Sequence, residues 1–127
     1  MKIKNEQFGE IDFEENSIIK FEEGLLGFEE LKEFLLISED EGLFLWLTSV
    51  SEPEIVFPLF SINHLQEKFD TVEEFEPFGI VKLDKDPSKV TINLKAPVYV
   101  NQNEKSGFQK LIDNEANIVD YPLFAAN

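Results

Sequence analysis

The sequence predicts a mainly β fold: a single-domain antiparallel β-barrel or sandwich of short strands with one or two short helices. Three observations support this prediction. Apolar residues alternate or form short runs, turn-forming residues separate these runs at close intervals, and little of the chain has helical periodicity. With 127 residues, the chain fits one domain, residues 1–127, and is long enough to bury a core without disulfides.

The predicted strands are short apolar runs bounded by turn residues. They comprise residues 8–13, 17–21, 33–39, 43–50, 54–62, 78–83, 89–101 and 108–112. The run 43–50 is almost continuously apolar, as expected of a strand that is covered on both faces. Pro58 should place the second half of 54–62 at an edge or a bulge, and Pro97 should bend or end 89–101.

Two segments have room for a short helix. Residues 28–34 allow one or two turns. The apolar residues of 63–75 recur at helical spacing, and Asn63 is a candidate N-cap for that segment.

The charge balance is strongly acidic. Aspartate and glutamate number 26 against 11 basic residues, which gives a net charge of −15, and every basic residue is a lysine. Such a chain repels a polyanion, so direct nucleic-acid binding is not expected. The acidity either keeps the protein in solution or attracts a basic protein partner over a screening length of about 8 Å.

The sequence carries no signal for export or for a membrane. The first ten residues, MKIKNEQFGE, lack an apolar stretch, and no apolar run approaches the roughly 20 residues that span a bilayer. Cysteine is absent, which permits a reducing compartment. We therefore expect a cytoplasmic protein with no membrane partner.

The residue inventory speaks against catalysis. His64 is the only histidine and precedes a predicted helix, where a surface or capping role is the simpler interpretation. With no cysteine and one histidine, neither a Cys-His dyad nor a zinc site can be assembled. The prediction is a protein that is not an enzyme and has no metal or other cofactor. A carboxylate-based hydrolase stays open as an alternative, because two acids at a suitable distance would suffice.

The stretch FEEGLLGFEE, residues 21–30, sets two glycines between two phenylalanines and four glutamates. It lacks the strand, lysine and helix context of a phosphate-binding loop. Gly24 and Gly27 are therefore interpreted as structural residues of a turn, where glycine adopts a positive φ without steric cost. Leu25 and Leu26 should turn inward, with Phe21 and Phe28 closing over the turn.

Five segments in order resemble the FliW family of flagellar assembly factors. The stretch IIKFEEGLLGFEELKEFLLI resembles the family signature. The stretch LTSVSEPEIVFPL resembles the family's serine-x-x-x-proline segment, whose proline is Pro53 here. The stretch INLKAPVYVN resembles the alanine-proline segment, with Ala96 and Pro97. GFQKLI resembles the glycine-x-glutamine strand and YPLF the closing segment. Together these segments cover most of the chain.

The sequence also departs from the family pattern. Leu26 stands where the family usually has proline, Tyr121 replaces a usual histidine, and residues 61–76 fit poorly.

The resemblance implies a cytoplasmic β-rich domain that binds flagellin. It also implies binding to the carbon storage regulator, a small basic RNA-binding dimer that represses flagellin translation. Once flagellin is exported, the freed factor would capture the regulator and relieve repression. A different hypothesis is a nucleic-acid mimic that blocks a basic groove directly.

Eight residues are candidates for partner contact. Six are acids on predicted turns and strand ends, and Asn101 and Gln109 belong to the resembling segments. The full set is Glu22, Glu23, Glu29, Glu30, Asn101, Gln109, Asp113 and Glu115.

Overall fold

The protein is described from a computed structural model, which covers residues 1–39, 42–65, 69, 71–113 and 117–124. In that part of the chain the strands are β1 (Lys2–Asn5), β2 (Gly9–Asp12), β3 (Ile19–Lys20), β4 (Glu33–Ser38), β5 (Leu45–Ser49), β6 (Val56–Ser61), β7 (Glu76–Lys82), β8 (Thr91–Ile92), β9 (Val98–Asn101), β10 (Ser106–Gln109) and β11 (Tyr121–Pro122). Single 3₁₀ turns occur at Glu15–Ser17, Ile62–His64 and Pro87–Lys89.

Seven strands close into a barrel in the order β7-β6-β5-β4-β3-β10-β9, and β9 pairs back with β7. All neighbours are antiparallel except β3 and β10, which run parallel through one residue pair, Lys20 and Ser106. At this short seam Gly107 leaves room for the ring of Phe21, whose atoms would lie 2.4 Å from an added Cβ. The prediction of a mainly β barrel or sandwich is confirmed.

Strand alternation separates an inner core from two outer ones. In β4, Phe34 points into the barrel, and Leu35 packs outside it. The β1–β2 hairpin covers this outer face with Ile3 and meets Phe13 and Ile18 there. A second outer core includes Ile62, Phe69, Val81, Val90, Ile92, Leu94 and Tyr99. The expectation that β5 is covered on both faces holds for Leu47, Thr48 and Ser49, which are buried.

Pro58 lies within β6, opposite Trp46 of β5. The second half of the strand, residues 59–61, forms the ladder with β7, so the prediction that this half is an edge or a bulge is wrong. The ladder with β7 does not include Pro58, which pairs only with β5. A proline cannot donate a backbone hydrogen bond, so it is tolerated where the neighbouring strand departs. At that point β7 turns to pair with β8 through Val81.

The predicted strand 89–101 forms two strands, β8 and β9, separated by residues 93–97. Pro97 stands just before β9, so the prediction that it ends the run is confirmed. Asn93 organises the break, since its Oδ1 accepts hydrogen bonds from the backbone N–H groups of Lys95 and Ala96 at 2.9 and 3.0 Å.

The helix predictions are largely wrong. Residues 28–31 form a β-turn, and β4 begins at Glu33, where the ladders to β3 and β5 override the local spacing. In 63–75, the described part contains only the end of a 3₁₀ turn, whose N-cap is Ser61 and not Asn63. Residues 66–68 and 70 lie outside the described residues. In the described chain no helix has the length and apolar character needed to cross a bilayer.

Candidate partner-binding surface

Three consecutive β-turns form the segment of residues 21–31, called here the glycine loop. The backbone N–H of Gly24 donates to the carbonyl of Phe21 at 2.9 Å, Phe28 to Leu25 at 2.8 Å, and Leu31 to Phe28 at 3.0 Å. The central residues of each turn face solvent, and the apolar residues between the turns face the barrel. The loop therefore joins β3 to β4 as an ordered cap on one end of the barrel.

Both glycines adopt positive φ, as predicted: +67° at Gly24 and +85° at Gly27. The reasons differ. A Cβ on Gly24 would lie 2.7 Å from the Cα and carbonyl oxygen of Glu29, so two turns of the loop touch through backbone alone. A Cβ on Gly27 would meet nothing within 4 Å, so only its φ favours glycine there.

Apolar side chains fasten the glycine loop to the barrel. Phe21 is fully buried and lies edge-on to Phe34, with centroids 5.2 Å apart. Phe28 lies edge-on to Phe57, also at 5.2 Å. Leu25 is buried as predicted, but the prediction for Leu26 is wrong: it is 51% exposed. Leu26 is a central residue of the 25–28 turn, and such positions project away from the chain that the turn reverses.

The side-chain amide of Gln109 ties the glycine loop to the barrel through two hydrogen bonds, called here the Gln109 clip. Its Oε1 accepts a hydrogen bond from the backbone N–H of Leu26 at 2.8 Å, and its Nε2 donates to the carbonyl of Ala96 at 2.9 Å. One amide thus joins the loop, β10 and the buried Ala96–Pro97 segment. Whether Gln109 also contacts a partner stays a prediction.

The four central glutamates of the first and third turns are called here the turn glutamates: Glu22, Glu23, Glu29 and Glu30. All four are exposed. The side chain of Glu29 accepts a hydrogen bond from the N–H of Gly27 at 2.9 Å, which fixes one of these carboxylates over the middle turn. Ion pairs within the described chain join the N-terminal amine to Asp12 and Lys2 to Glu10, and none involves a turn glutamate.

Two shallow grooves flank the turn glutamates. One, of about 490 Å³, is lined by Lys20, Phe21, Glu22, Glu30, Lys32, Glu33 and Ser51. The other, of about 530 Å³, runs along β10 and has Phe75 and Phe108 on its wall, with Glu22, Glu23 and Glu104 around them. Lys20 lines both grooves, together with Lys32 in the first and Lys105 in the second, so two lysines face three glutamates in each and the surface is only moderately acidic.

The remaining candidate residues are scattered. Asn101 is buried, and its Oδ1 accepts from the N–H groups of Asn103 and Glu104, both at 3.0 Å, so it organises the β9–β10 turn. Asp113 is exposed. Glu115 lies outside the described residues. Partner contact by each of these three stays a prediction.

Sequence reasoning missed one structural contact of the serine-x-x-x-proline segment. Asn5 is buried, and its Nδ2 donates to the carbonyl of Pro53, while its Oδ1 accepts from the N–H groups of Gln7 and Phe8. The only sequence signal for this contact is that a polar residue, Asn5, ends the alternating run of residues 2–5. The contact fixes the β1–β2 hairpin to the β5–β6 connection.

The pKa of Asp86 is lowered, first by the hydroxyl of Ser88 and then by its backbone N–H, both donating to the carboxylate. This carboxylate caps the 3₁₀ turn at Pro87–Lys89, away from the glycine loop. Among the described residues no group of three or more His, Cys, Asp or Glu could hold a metal ion. His64 is exposed, as predicted.

Comparison with known proteins gives a consistent result. The family model described as FliW protein matches residues 2–123. The flagellar assembly factor FliW of Caldicellulosiruptor saccharolyticus is 33% identical and aligns over 96% of this chain and 90% of its own length. That of Clostridium tetani is 34% identical over 98% and 96%. A crystal structure of the flagellar assembly factor FliW superposes with a TM-score of 0.89 at 26% identity, covering 99% of both chains.

Proposed function

The chain belongs to the FliW family of flagellar assembly factors, and from this premise we propose that it binds flagellin and the carbon storage regulator alternately in the cytoplasm. Its role in flagellar assembly follows from the family. In the proposal, flagellin occupies the protein until export removes it. The freed protein then binds the basic regulator dimer and relieves repression of flagellin translation, acting by binding and not by catalysis.

The observation that carries the regulator half of the proposal is the set of turn glutamates. They are exposed on a loop that three turns, two edge-on aromatic contacts and the hydrogen bond from Leu26 to Gln109 hold in place. They have no ion-pair partners among the described residues. Acids on an ordered loop, without ion-pair partners, suit a basic protein, because less ordering of the loop is then required on binding.

The flagellin half rests on family membership, and the two halves are tested together. We expect the full-length protein to form separate complexes with flagellin and with the regulator of the same organism, as measured by size-exclusion chromatography with light scattering. Added flagellin should release the regulator. A stable ternary complex would contradict alternation, and failure of either partner to bind would remove that half of the proposal.

The same reagents separate partner switching from nucleic-acid mimicry. Both hypotheses require RNA to weaken the binding of this protein to the regulator, because the coupling between two ligands is reciprocal. A mimic occupies the RNA groove itself, so RNA and this protein should exclude each other completely. A ternary complex of regulator, RNA and this protein, in which each ligand weakens but does not abolish the binding of the other, would exclude direct occupation of that groove.

A further inference from the structure

A pocket of about 240 Å³ opens at the end of the barrel opposite the glycine loop. There β5 begins, β6 ends and β7 begins, whereas the glycine loop lies where β3 ends and β4 begins. Apolar side chains form most of the wall: Leu43, Leu45, Leu59, Phe60 and Phe78. No residue of the glycine loop contributes, so this is a separate site.

Three polar side chains line the same pocket, those of Ser61, His64 and Glu76. The Ser61 hydroxyl donates to Oε2 of Glu76, which orients the carboxylate. Glu76 is half-buried and has no ion-pair partner among the described residues. The described residues of the lining include no lysine, in contrast to both grooves beside the glycine loop.

An aromatic series continues outward from the pocket over β5 and β6. Phe60 lies 5.9 Å from His64 and 6.3 Å from Phe44, between ring centroids, and Phe44 lies 6.0 Å from Trp46. The rings of Phe44, Trp46 and Phe60 are each half-buried. These rings pack on the outer face of the sheet, whereas Ser61 and Glu76 lie on the other face, with Leu59 and Phe78. An oriented carboxylate attracts a cation, and the planar guanidinium of arginine can bind it through two parallel hydrogen bonds.

We propose that this pocket binds an arginine side chain of a protein partner, with the aliphatic stem against the leucines and the guanidinium on the Glu76 carboxylate. Charge complementarity selects this occupant over an apolar one. The oriented carboxylate lies beside apolar side chains, with no lysine among the described residues of the lining, on a protein of net charge −15. This chain has no arginine, so the ligand comes from another protein. The site goes beyond the proposed function, because it does not depend on which basic protein binds.

The test uses one side chain as the probe. The full-length ¹⁵N-labelled protein is titrated with N-acetyl-arginine methylamide and followed by ¹H–¹⁵N correlation spectra. We expect saturable shifts confined to the backbone N–H signals of residues 43–45, 59–61, 64, 76 and 78. N-acetyl-citrulline methylamide, which has the same shape without the charge, should bind about tenfold more weakly or worse, since it lacks the charge-assisted hydrogen bond.

Two variants keep the test decisive. Glu76→Gln retains an acceptor for Ser61 and should weaken arginine binding by about tenfold or more for the same reason. Leu43→Ala removes an exposed side chain from the pocket wall and should also weaken arginine binding, while the control Glu14→Gln, at an exposed glutamate outside both candidate surfaces, should leave it unchanged. Shifts spread over the acidic surface, equal binding of citrulline, or an unchanged affinity in Glu76→Gln would each overturn the proposal. Because none of these measurements involves flagellin or the regulator, their outcome is independent of the proposed function.

Discussion

At the residue scale, the glycine loop depends on two glycines for different reasons. Gly27 needs only a positive φ, whereas Gly24 also allows the backbone of Glu29 to approach within 2.7 Å of where a Cβ would stand. Backbone atoms cannot move aside as the end of a flexible side chain can. Gly24 is therefore the position where the loop tolerates least change.

We predict that Gly24→Ala destabilises the protein far more than Gly27→Ala. The φ penalty alone should cost about 1–2 kcal/mol at Gly27, and the added overlap should bring the cost at Gly24 to about 3 kcal/mol or more. Gly9→Ala is a matched control, because Gly9 has φ +71° and open space around it. Urea unfolding measures all three, and a Gly24 variant no worse than the other two would refute this interpretation.

At the element scale, the Gln109 clip explains how this chain accommodates Leu26. The N–H that Gln109 binds would be absent if residue 26 were proline. Gly27 has positive φ at the next position of the turn, and proline is favoured before such a residue. The leucine therefore gives up the rigidity of proline and gains a hydrogen bond.

A double-mutant cycle tests this exchange. In the parent, Leu26→Pro should be neutral or destabilising, because a gain of about 0.4–1 kcal/mol opposes the loss of a hydrogen bond worth about 0.5–1.5 kcal/mol. In a Gln109→Met background the bond is already gone, so Leu26→Pro should stabilise. Equal effects in the two backgrounds, measured as free energies of unfolding, would show that the clip contributes nothing.

The β1–β2 hairpin offers a second prediction at this scale. Asn5→Ala removes the bond to Pro53 and leaves the N–H groups of Gln7 and Phe8 without their acceptor. We expect a loss of about 1–3 kcal/mol. Phe8 packs on Trp46, the single tryptophan of the sequence, with 5.9 Å between the ring centroids. The fluorescence emission maximum of Trp46 should therefore shift as the hairpin loosens. Unchanged emission together with unchanged stability would contradict the role given to Asn5.

Sequence alone predicted those features that local chemistry determines. The positive φ of both glycines, the burial of Leu25 and the break before Pro97 each follow from one residue type in its immediate context. Pairings between distant segments account for the failures. The β1 strand carries a single buried isoleucine, Ile3, and is defined by its partner β2, so it was not predicted.

The candidate surface was predicted in part for the same reason. The turn glutamates were placed correctly in exposed turns because the glycines predict the turns. The clip between Gln109 and Leu26 spans 83 residues and could not be predicted, nor could the pocket at Glu76, which three strand ends assemble. The internal bonds of Asn101 likewise depend on the β9–β10 turn.

At the scale of the whole molecule, net charge and loop geometry have separable effects. A charge of −15 attracts any basic protein at long range, wherever the acids lie. Short-range recognition requires acids in fixed positions, which the glycine loop supplies. Each exposed pair contributes only about 0.2–1 kcal/mol, so several must be changed together to reveal their effect.

Association kinetics with the carbon storage regulator test this account most directly. The variant in which all four turn glutamates become glutamine is compared with one carrying the same change at Glu14, Glu15, Glu39 and Glu73, which are exposed elsewhere. Both lose four charges. Stopped-flow rates are measured from about 50 to 500 mM salt, a range that spans the screening of surface charges. We predict that the turn variant associates more slowly and with weaker salt dependence than the matched variant. Equal rates in the two variants at every salt concentration would contradict the claim that the glycine loop recognises the regulator.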